Sequence, residues 1–137
     1  MIAKNITELI GNTPMIELKM KNNDWKVYLK LEKFNPGGSM KDRMALNMIN
    51  QAEKDGKLKP GGTIIESSSG NTAIGLAIAS AIKVYKFIAV VDHHASKEKI
   101  DMIKAYGGNI VVVGDGYKDN EVAVIEREKT AKRMADG

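Results

Sequence analysis

The chain is 137 residues long, with 43% hydrophobic and 28% charged residues, proportions typical of one globular domain and not of a disordered chain. It has no cysteine, which excludes disulfides, thiolate metal sites and cysteine nucleophiles; since its N-terminus also lacks the apolar segment of a secretory signal, we expect a cytoplasmic protein. The net charge of +4 comes from scattered lysines and arginines without interleaved aromatic residues, so no nucleic-acid partner is expected.

The first 33 residues predict a β-hairpin arm. Residues 15–18 and 25–31 alternate apolar and polar side chains, as strands with one buried face do. Residues 22–24, Asn-Asn-Asp, favour a turn between them. We therefore expect residues 1–33 to form an arm that precedes a small α/β domain at residues 34–137.

A glycine-rich loop, residues 35–43 (Asn-Pro-Gly-Gly-Ser-Met-Lys-Asp-Arg), leads into a predicted helix that ends at Gly56. Ser39 is the expected N-cap. Lys41 then falls in the first turn, where the helix dipole disfavours a cation and favours the neutral, nucleophilic amine. A surface lysine that extends into water is the alternative, and the local pattern leaves both open. The apolar face of this helix is expected to comprise Met40, Met44, Ala45, Met48, Ile49 and Ala52.

Three short apolar runs predict a parallel β-sheet. They occupy residues 63–65, 87–91 and 109–113, and their β-branched residues do not alternate with polar ones, as in strands buried on both faces. Helical patterns follow at residues 70–83, 96–106 and 119–135. This order predicts right-handed crossovers and a three-layer α/β fold with helices on both faces of the sheet. Inward positions are expected at Ile100, Met102 and Ile103, and in the last helix at Val122, Ile125 and Met134.

A second polar loop, residues 66–72 (Glu-Ser-Ser-Ser-Gly-Asn-Thr), follows a buried strand and opens a buried helix. Ligands of open α/β sheets bind beyond the carboxyl ends of the strands. The N–H groups of a helix start, with short hydroxyl and amide side chains, can hold a carboxylate or a phosphate. The alternative is an ordinary helix cap made by Ser69 or Asn71, and the local pattern favours neither.

An apolar stretch and a pair of histidines could suggest a membrane span and a metal site, but neither suggestion holds. The apolar stretch at residues 73–91 contains Lys83 and Lys86, each of which would cost ~2.5–3.5 kcal/mol at the centre of a bilayer. His93 and His94 are adjacent, and adjacent side chains diverge on a strand or helix, so we expect no shared metal.

Four segments together resemble the fold-type II pyridoxal-phosphate-dependent enzymes, and among them the cysteine synthase and cystathionine β-synthase group. They are residues 11–14 (Gly-Asn-Thr-Pro), 32–43 (Glu-Lys-Phe and the loop above), 68–72 (Ser-Ser-Gly-Asn-Thr) and 104–108 (Lys-Ala-Tyr-Gly-Gly). They stand in the family's order over essentially the whole chain, which is far more specific than any one motif.

The resemblance implies pyridoxal 5'-phosphate as cofactor, with Lys41 forming the Schiff base and later moving the substrate's α-proton. It implies that Asn71 hydrogen-bonds the ring oxygen of the cofactor, and that Ser68, Ser69, Asn71 and Thr72 bind the α-carboxylate of the substrate. The implied reaction is β-replacement: an activated L-serine loses its leaving group and accepts a small nucleophile such as sulfide or an amine.

The chain departs from the family pattern in two ways. Ala73 stands where the family usually has glycine. The family's glycine- and threonine-rich phosphate loop, its carboxylate-clamping glutamine and its pyridine-nitrogen partner come after the third strand and do not occur in this sequence. The resemblance therefore implies an N-terminal fragment or incomplete enzyme, whose arm packs on a larger domain and which works as a homo-oligomer or with a complementing C-terminal domain. The alternative is a non-catalytic partner subunit or interaction module derived from the family, since unfinished sheet edges invite pairing.

Overall fold

The computed structural model describes residues 2–21, 25–114 and 120–136, with the backbone only for residues 120–122; the turn predicted at residues 22–24 lies outside the described residues. The strands are β1 (Met15–Leu18), β2 (Val27–Lys30), β3 (Thr63–Glu66), β4 (Lys86–Asp92) and β5 (Asn109–Val113). The helices are α1 (Lys41–Lys54), α2 (Asn71–Lys83), α3 (Lys97–Ala105) and α4 (Asn120–Asp136), with short 3₁₀ helices at Ile6–Leu9 and Glu32–Phe34. None of the described helices is both long and apolar enough to cross a bilayer.

The predicted parallel sheet is confirmed, in the order β3-β4-β5. Ile64 lies opposite Phe87, and Val90 lies opposite Val111. Helices α2 and α3 pack against each other and on β4 and β5, whereas α4 crosses all three strands. Helix α1 packs against α2. The result is the expected three-layer α/β fold, with helices on both faces of the sheet.

The two faces of β4 belong to different layers of the core. Phe87, Ala89 and Val91 join the cluster formed with α2 and Ile103 of α3. Val90, which is also fully buried, alternates with them and faces the side covered by α4. Helix α2 is buried at every residue from position 73 to position 80, which explains why its sequence is apolar on all sides.

Two predicted inner faces are wrong in part. Met40, just before α1, and Met48 within it are 54% and 45% exposed, because α1 contacts α2 mainly through its small and branched residues, Ala45 and Ile49. Met102 of α3 is also exposed, while Ile103 is buried as expected.

The inner face of α4 differs in part from the prediction: Met134 is half-buried, and the side chain of Val122 lies outside the described residues. Ile125 is half exposed, and the residues that face the sheet are Ala123 and Thr130, with Arg127 between them. Arg127 Nε lies 3.2 Å from the buried Asp92 carboxylate at the end of β4. Because the buried Asp92 carboxylate lies on this face of the sheet, α4 packs on the sheet through small and polar residues and not through its largest apolar ones.

The N-terminal hairpin forms as predicted, but neither of its faces is buried as the alternating pattern predicted. Strands β1 and β2 pair antiparallel, with Ile16 opposite Leu29. Every residue of β2 is exposed, and Trp25 just before it is 77% exposed. The described part of the chain provides nothing that covers this apolar hairpin.

Candidate active site

Lys41 is the first residue of α1 and is half buried. Because the helix begins at Lys41, its N-cap position falls on Met40, one position later than predicted, although the backbone of Met40 is itself helical. The Ser39 hydroxyl still serves the helix start, because it accepts a hydrogen bond from the Lys41 N–H at 3.1 Å. Lys41 therefore lies in the first turn of a helix, as the sequence predicts.

Asp42 holds the loop that precedes this lysine. Its side chain is buried, and its Oδ2 accepts a hydrogen bond from the Gly37 N–H. A Cβ atom on Gly37 would overlap Asp42 Oδ1, so only glycine fits at this position. Burial raises the pKa of Asp42, and the hydrogen bond from Gly37 opposes that rise. The sequence analysis assigned Asp42 no role. Its position next to Lys41 in the loop at residues 35–43 was the one indication that it could matter.

A second polar cluster, here called the Glu32 network, joins three segments of the chain. The guanidinium of Arg43 donates two hydrogen bonds to the Glu32 carboxylate, at 2.7 and 3.1 Å. The buried Asn35 amide donates to the Glu32 carbonyl at 2.8 Å and accepts from the Gly11 N–H at 2.9 Å. Thr13 also donates to Glu32, at 3.4 Å. The network therefore ties the segment before the hairpin to the helix that carries Lys41.

The Glu32 network is expected to weaken in acid. The hydrogen bonds from Arg43, more than any other cause, hold the pKa of Glu32 below its ordinary value. A carboxylate with a lowered pKa stabilises the fold above its unfolded pKa, about 4.3, and that contribution is lost as the pH falls through the folded value. Thermal unfolding of the wild type and Glu32→Gln should therefore differ most near neutral pH, and the gap should close in acid.

Glu17→Gln, at an exposed position of β1, is the matched control for the same charge change. It should follow the wild-type pH profile throughout. A gap between the wild type and Glu32→Gln that stays constant from neutral pH to about pH 3 would contradict the assignment.

The loop before α2 leaves the start of that helix open. The N-cap is Gly70, and no side chain caps the helix, so the alternative in which Ser69 or Asn71 serves as an ordinary cap is wrong. The Ser68 hydroxyl accepts from the Gly70 N–H at 3.2 Å and shapes the loop. Asn71 is exposed and Thr72 is half buried in the first turn. First-turn N–H groups without a capping side chain, together with the positive end of the helix dipole, suit a carboxylate or a phosphate.

Lys99 adds a positive charge to this loop. Its Nζ lies 3.9 Å from where a Cβ atom on Gly70 would stand. The packing of α3 against α2 brings the two positions together, so the sequence by itself gave no signal for this lysine. An ammonium group beside the α2 N-terminus strengthens the preference of the loop for an anion.

Ala73, the residue that departs from the family pattern, does not disturb the loop. It is fully buried and belongs to the hydrophobic core cluster. Its methyl group is therefore part of the core.

Gly75 brings the two loops to the same end of the molecule. A Cβ atom here would lie 3.1 Å from the Lys41 main-chain oxygen and 3.2 Å from the Asp42 Cα. Without that atom, the first turn of α1 rests directly on α2, one helical turn after Asn71. The sequence-predicted residues Lys41, Ser68, Ser69, Asn71 and Thr72 thus belong to two adjoining helix starts.

The histidine pair does not diverge as predicted. The rings of His93 and His94 lie 3.9 Å apart, because the two residues occupy the turn after β4 and not a regular strand or helix. His94 Nδ1 is 3.3 Å from Asp92 Oδ1. In the described part of the chain, no group of three or more potential ligands gathers into a metal site.

Comparison with known proteins gives consistent matches. The family described as pyridoxal-phosphate dependent enzyme matches residues 6–135. A putative cysteine synthase of Sinorhizobium fredii is 49% identical over 134 residues, which is 98% of this chain and 40% of the relative. Among solved structures, a hydrogen sulfide-producing enzyme from Fusobacterium nucleatum is 39% identical with a TM-score of 0.85, over 97% of this chain and 43% of that one.

An O-acetylserine dependent cystathionine β-synthase from Helicobacter pylori is 32% identical with a TM-score of 0.86, over 99% of this chain and 44% of that one. The chain thus spans about two-fifths of the length of the curated relative, 40% of the Sinorhizobium fredii protein.

Proposed function

The chain belongs to the pyridoxal-phosphate dependent enzymes, and from this premise we propose that it carries the lysine and carboxylate-binding half of a site for β-replacement on an activated L-serine. The observation that carries the proposal is the contact of α1 with Gly75 of α2, which brings the Lys41 turn beside the uncapped start of α2. A nucleophilic amine next to an anion cradle is the pair of groups that this chemistry requires of the N-terminal half.

The residues present provide part of a binding site for pyridoxal phosphate, the cofactor of the family. Lys41 forms no ion pair with a carboxylate of the described residues, so its amine is available for covalent attachment of the cofactor. Asn71, at the open start of α2, would hydrogen-bond the cofactor ring oxygen. When bound, the cofactor ring withdraws the electrons released at the substrate's α-carbon.

The chain's own residues orient the substrate and move its proton. Ser68, Ser69, Asn71 and Thr72 would hold the α-carboxylate through side chains and first-turn N–H groups. This anchoring would point the α-carbon toward Lys41, whose Nζ accepts the α-proton. The bond from the β-carbon to the leaving group breaks, the nucleophile bonds to the β-carbon, and Lys41 returns the proton to the α-carbon.

The names of the relatives support an acylated serine as substrate and sulfide as nucleophile. The Sinorhizobium fredii relative is a putative cysteine synthase, and the Helicobacter pylori structure is an O-acetylserine dependent enzyme. We propose the same class of reaction here, in cytoplasmic amino-acid biosynthesis. Residues 1–33 would be an arm that packs on further protein, as the exposure of Trp25 and the whole of β2 suggests.

The proposal is tested by adding the part of a relative that this chain does not match. The chain is mixed with the part of the Sinorhizobium fredii relative that follows its match to this chain, together with pyridoxal phosphate, O-acetylserine and sulfide. We expect cysteine to form only when both polypeptides and the cofactor are present. A stable complex that binds the cofactor but forms no cysteine would favour the alternative, a non-catalytic partner subunit, for which the exposed hairpin is a docking surface.

A further inference from the structure

Val84 ends α2 in a backbone conformation that valine rarely adopts. It is the C-cap residue of the helix, with φ 61° and ψ 41°, in the left-handed region. A branched side chain is crowded there, which is why glycine is the usual residue at such a helix end. The Val84 side chain is 78% exposed, so packing in the core does not offset this strain. Groups on neighbouring residues must therefore hold the turn in place.

A three-residue cluster, here called the Glu53 clamp, holds this turn from both sides. Glu53 lies in the last turn of α1, and its carboxylate accepts hydrogen bonds from Lys83 Nζ at 2.7 Å and from the Tyr85 hydroxyl at 2.8 Å. Lys83 and Tyr85 are the residues directly before and after Val84. If Val84 rotated into an ordinary conformation, these two side chains would turn apart and could not reach the same carboxylate.

The charges of the clamp favour both hydrogen bonds at neutral pH. The bonds from Lys83 and Tyr85 hold the pKa of Glu53 below its ordinary value, so each carboxylate oxygen is free to accept. The same contact raises the pKa of Tyr85, whose hydroxyl therefore keeps its proton. The ring of Tyr85 packs against the core cluster, which fixes that side of the clamp. Hydrogen bonds to an ionised group are the stronger kind.

We propose that Glu53 is a positioning residue: by keeping the strained Val84 turn closed it fixes α1 on α2, and so fixes Lys41 beside the loop at residues 66–72. The two helices are joined at both ends. The first turn of α1 rests on Gly75, and Glu53 joins the last turn of α1 to the last residue of α2. Without the second joint, α1 could pivot about the first. The consequence for Lys41 rests on the proposed function, whereas the strain and the clamp rest on the fold.

Hydrogen exchange of the chain alone tests the strain. The Tyr85 N–H donates to the Ser80 carbonyl at 2.9 Å and reports on the turn. We expect Val84→Gly to raise the protection factor of this N–H at least about threefold, because glycine adopts the left-handed conformation without strain. Val112→Gly, at another exposed valine, is the matched control: it should lower the thermal midpoint, whereas Val84→Gly should raise it. Lower protection in Val84→Gly would overturn the proposal.

A second variant tests the clamp. Glu53→Met removes both acceptors and keeps a long side chain that suits a helix. It should lower the protection factor of the Tyr85 N–H at least about tenfold, and adding Val84→Gly should restore that factor to within about threefold of the wild type. Glu128→Met, at an exposed position of α4, should change nothing at Tyr85. Unchanged protection in Glu53→Met would refute the clamp, and so would a Val84→Gly change that fails to restore it.

Turnover tests the link to Lys41, in the mixture of this chain with the Sinorhizobium fredii polypeptide. Glu53→Met should lower kcat on the order of tenfold and leave KM for O-acetylserine within about twofold, because the lysine is displaced while residues 66–72 keep their binding groups. Adding Val84→Gly should restore kcat. A higher KM with unchanged kcat, or no rescue, would contradict the positioning role. If the wild-type mixture makes no cysteine, the proposed function fails and the positioning role with it, while the exchange results still decide the strained turn and its clamp.

Discussion

Lys41→Ala is expected to abolish cysteine formation by the complemented protein, lowering the turnover rate by roughly 10³-fold or more. The proposed function gives Lys41 two roles, holding the cofactor and accepting the α-proton, and alanine has no amine for either, so one change removes both. Assembly with the added polypeptide should stay intact, because Lys41 lies at the start of α1 and not on the exposed hairpin. The readouts are cysteine formation and covalent attachment of pyridoxal phosphate after borohydride reduction, mapped by peptide mass spectrometry.

Lys54→Ala is the matched control, because Lys54 is the last residue of the same helix. It should retain both turnover and the labelled Lys41 peptide. Label distributed evenly over the surface lysines of the wild type, or full turnover by Lys41→Ala, would refute the role given to this lysine.

Gly75→Ala is expected to destabilise the fold by about 1–3 kcal/mol, as overpacking of a core does. The loss should appear although alanine is the better helix former by roughly 0.5–1 kcal/mol. The added methyl group would meet Ala45 Cβ and the Lys41 oxygen, each at 3.1 Å, and force α1 away from α2. A shift of the Lys41 turn by about 1 Å should also slow turnover on the order of 10²-fold.

Urea unfolding measures the first effect and steady-state kinetics of the complemented protein measures the second. Ser80→Ala is the control within α2: it removes a buried hydroxyl that has no hydrogen-bond partner in the described structure, so it should not lower stability. Gly75→Ala with unchanged stability and turnover would show that the two helices have more room than the structure gives them.

The sequence predicted the sheet and the two loops because their signals are local. Unbroken β-branched runs identified β3 to β5, and the position of Lys41 followed from the loop before α1. The inner face of α4 could not be predicted this way, because it depends on the buried charge of Asp92 across the sheet. Lys99 was missed for a similar reason: only the packing of α3 on α2 brings its ammonium to Gly70.

The contact at Gly75 also limits how this chain can change over generations. Two of the three atoms that an added methyl group would meet belong to the main chain, the Lys41 oxygen and the Asp42 Cα. A smaller side chain at a neighbouring position can relieve a clash with Ala45, but it cannot move a main-chain atom. A substitution at Gly75 therefore has no compensating partner, and the role proposed for Lys41 also requires this glycine in the next helix.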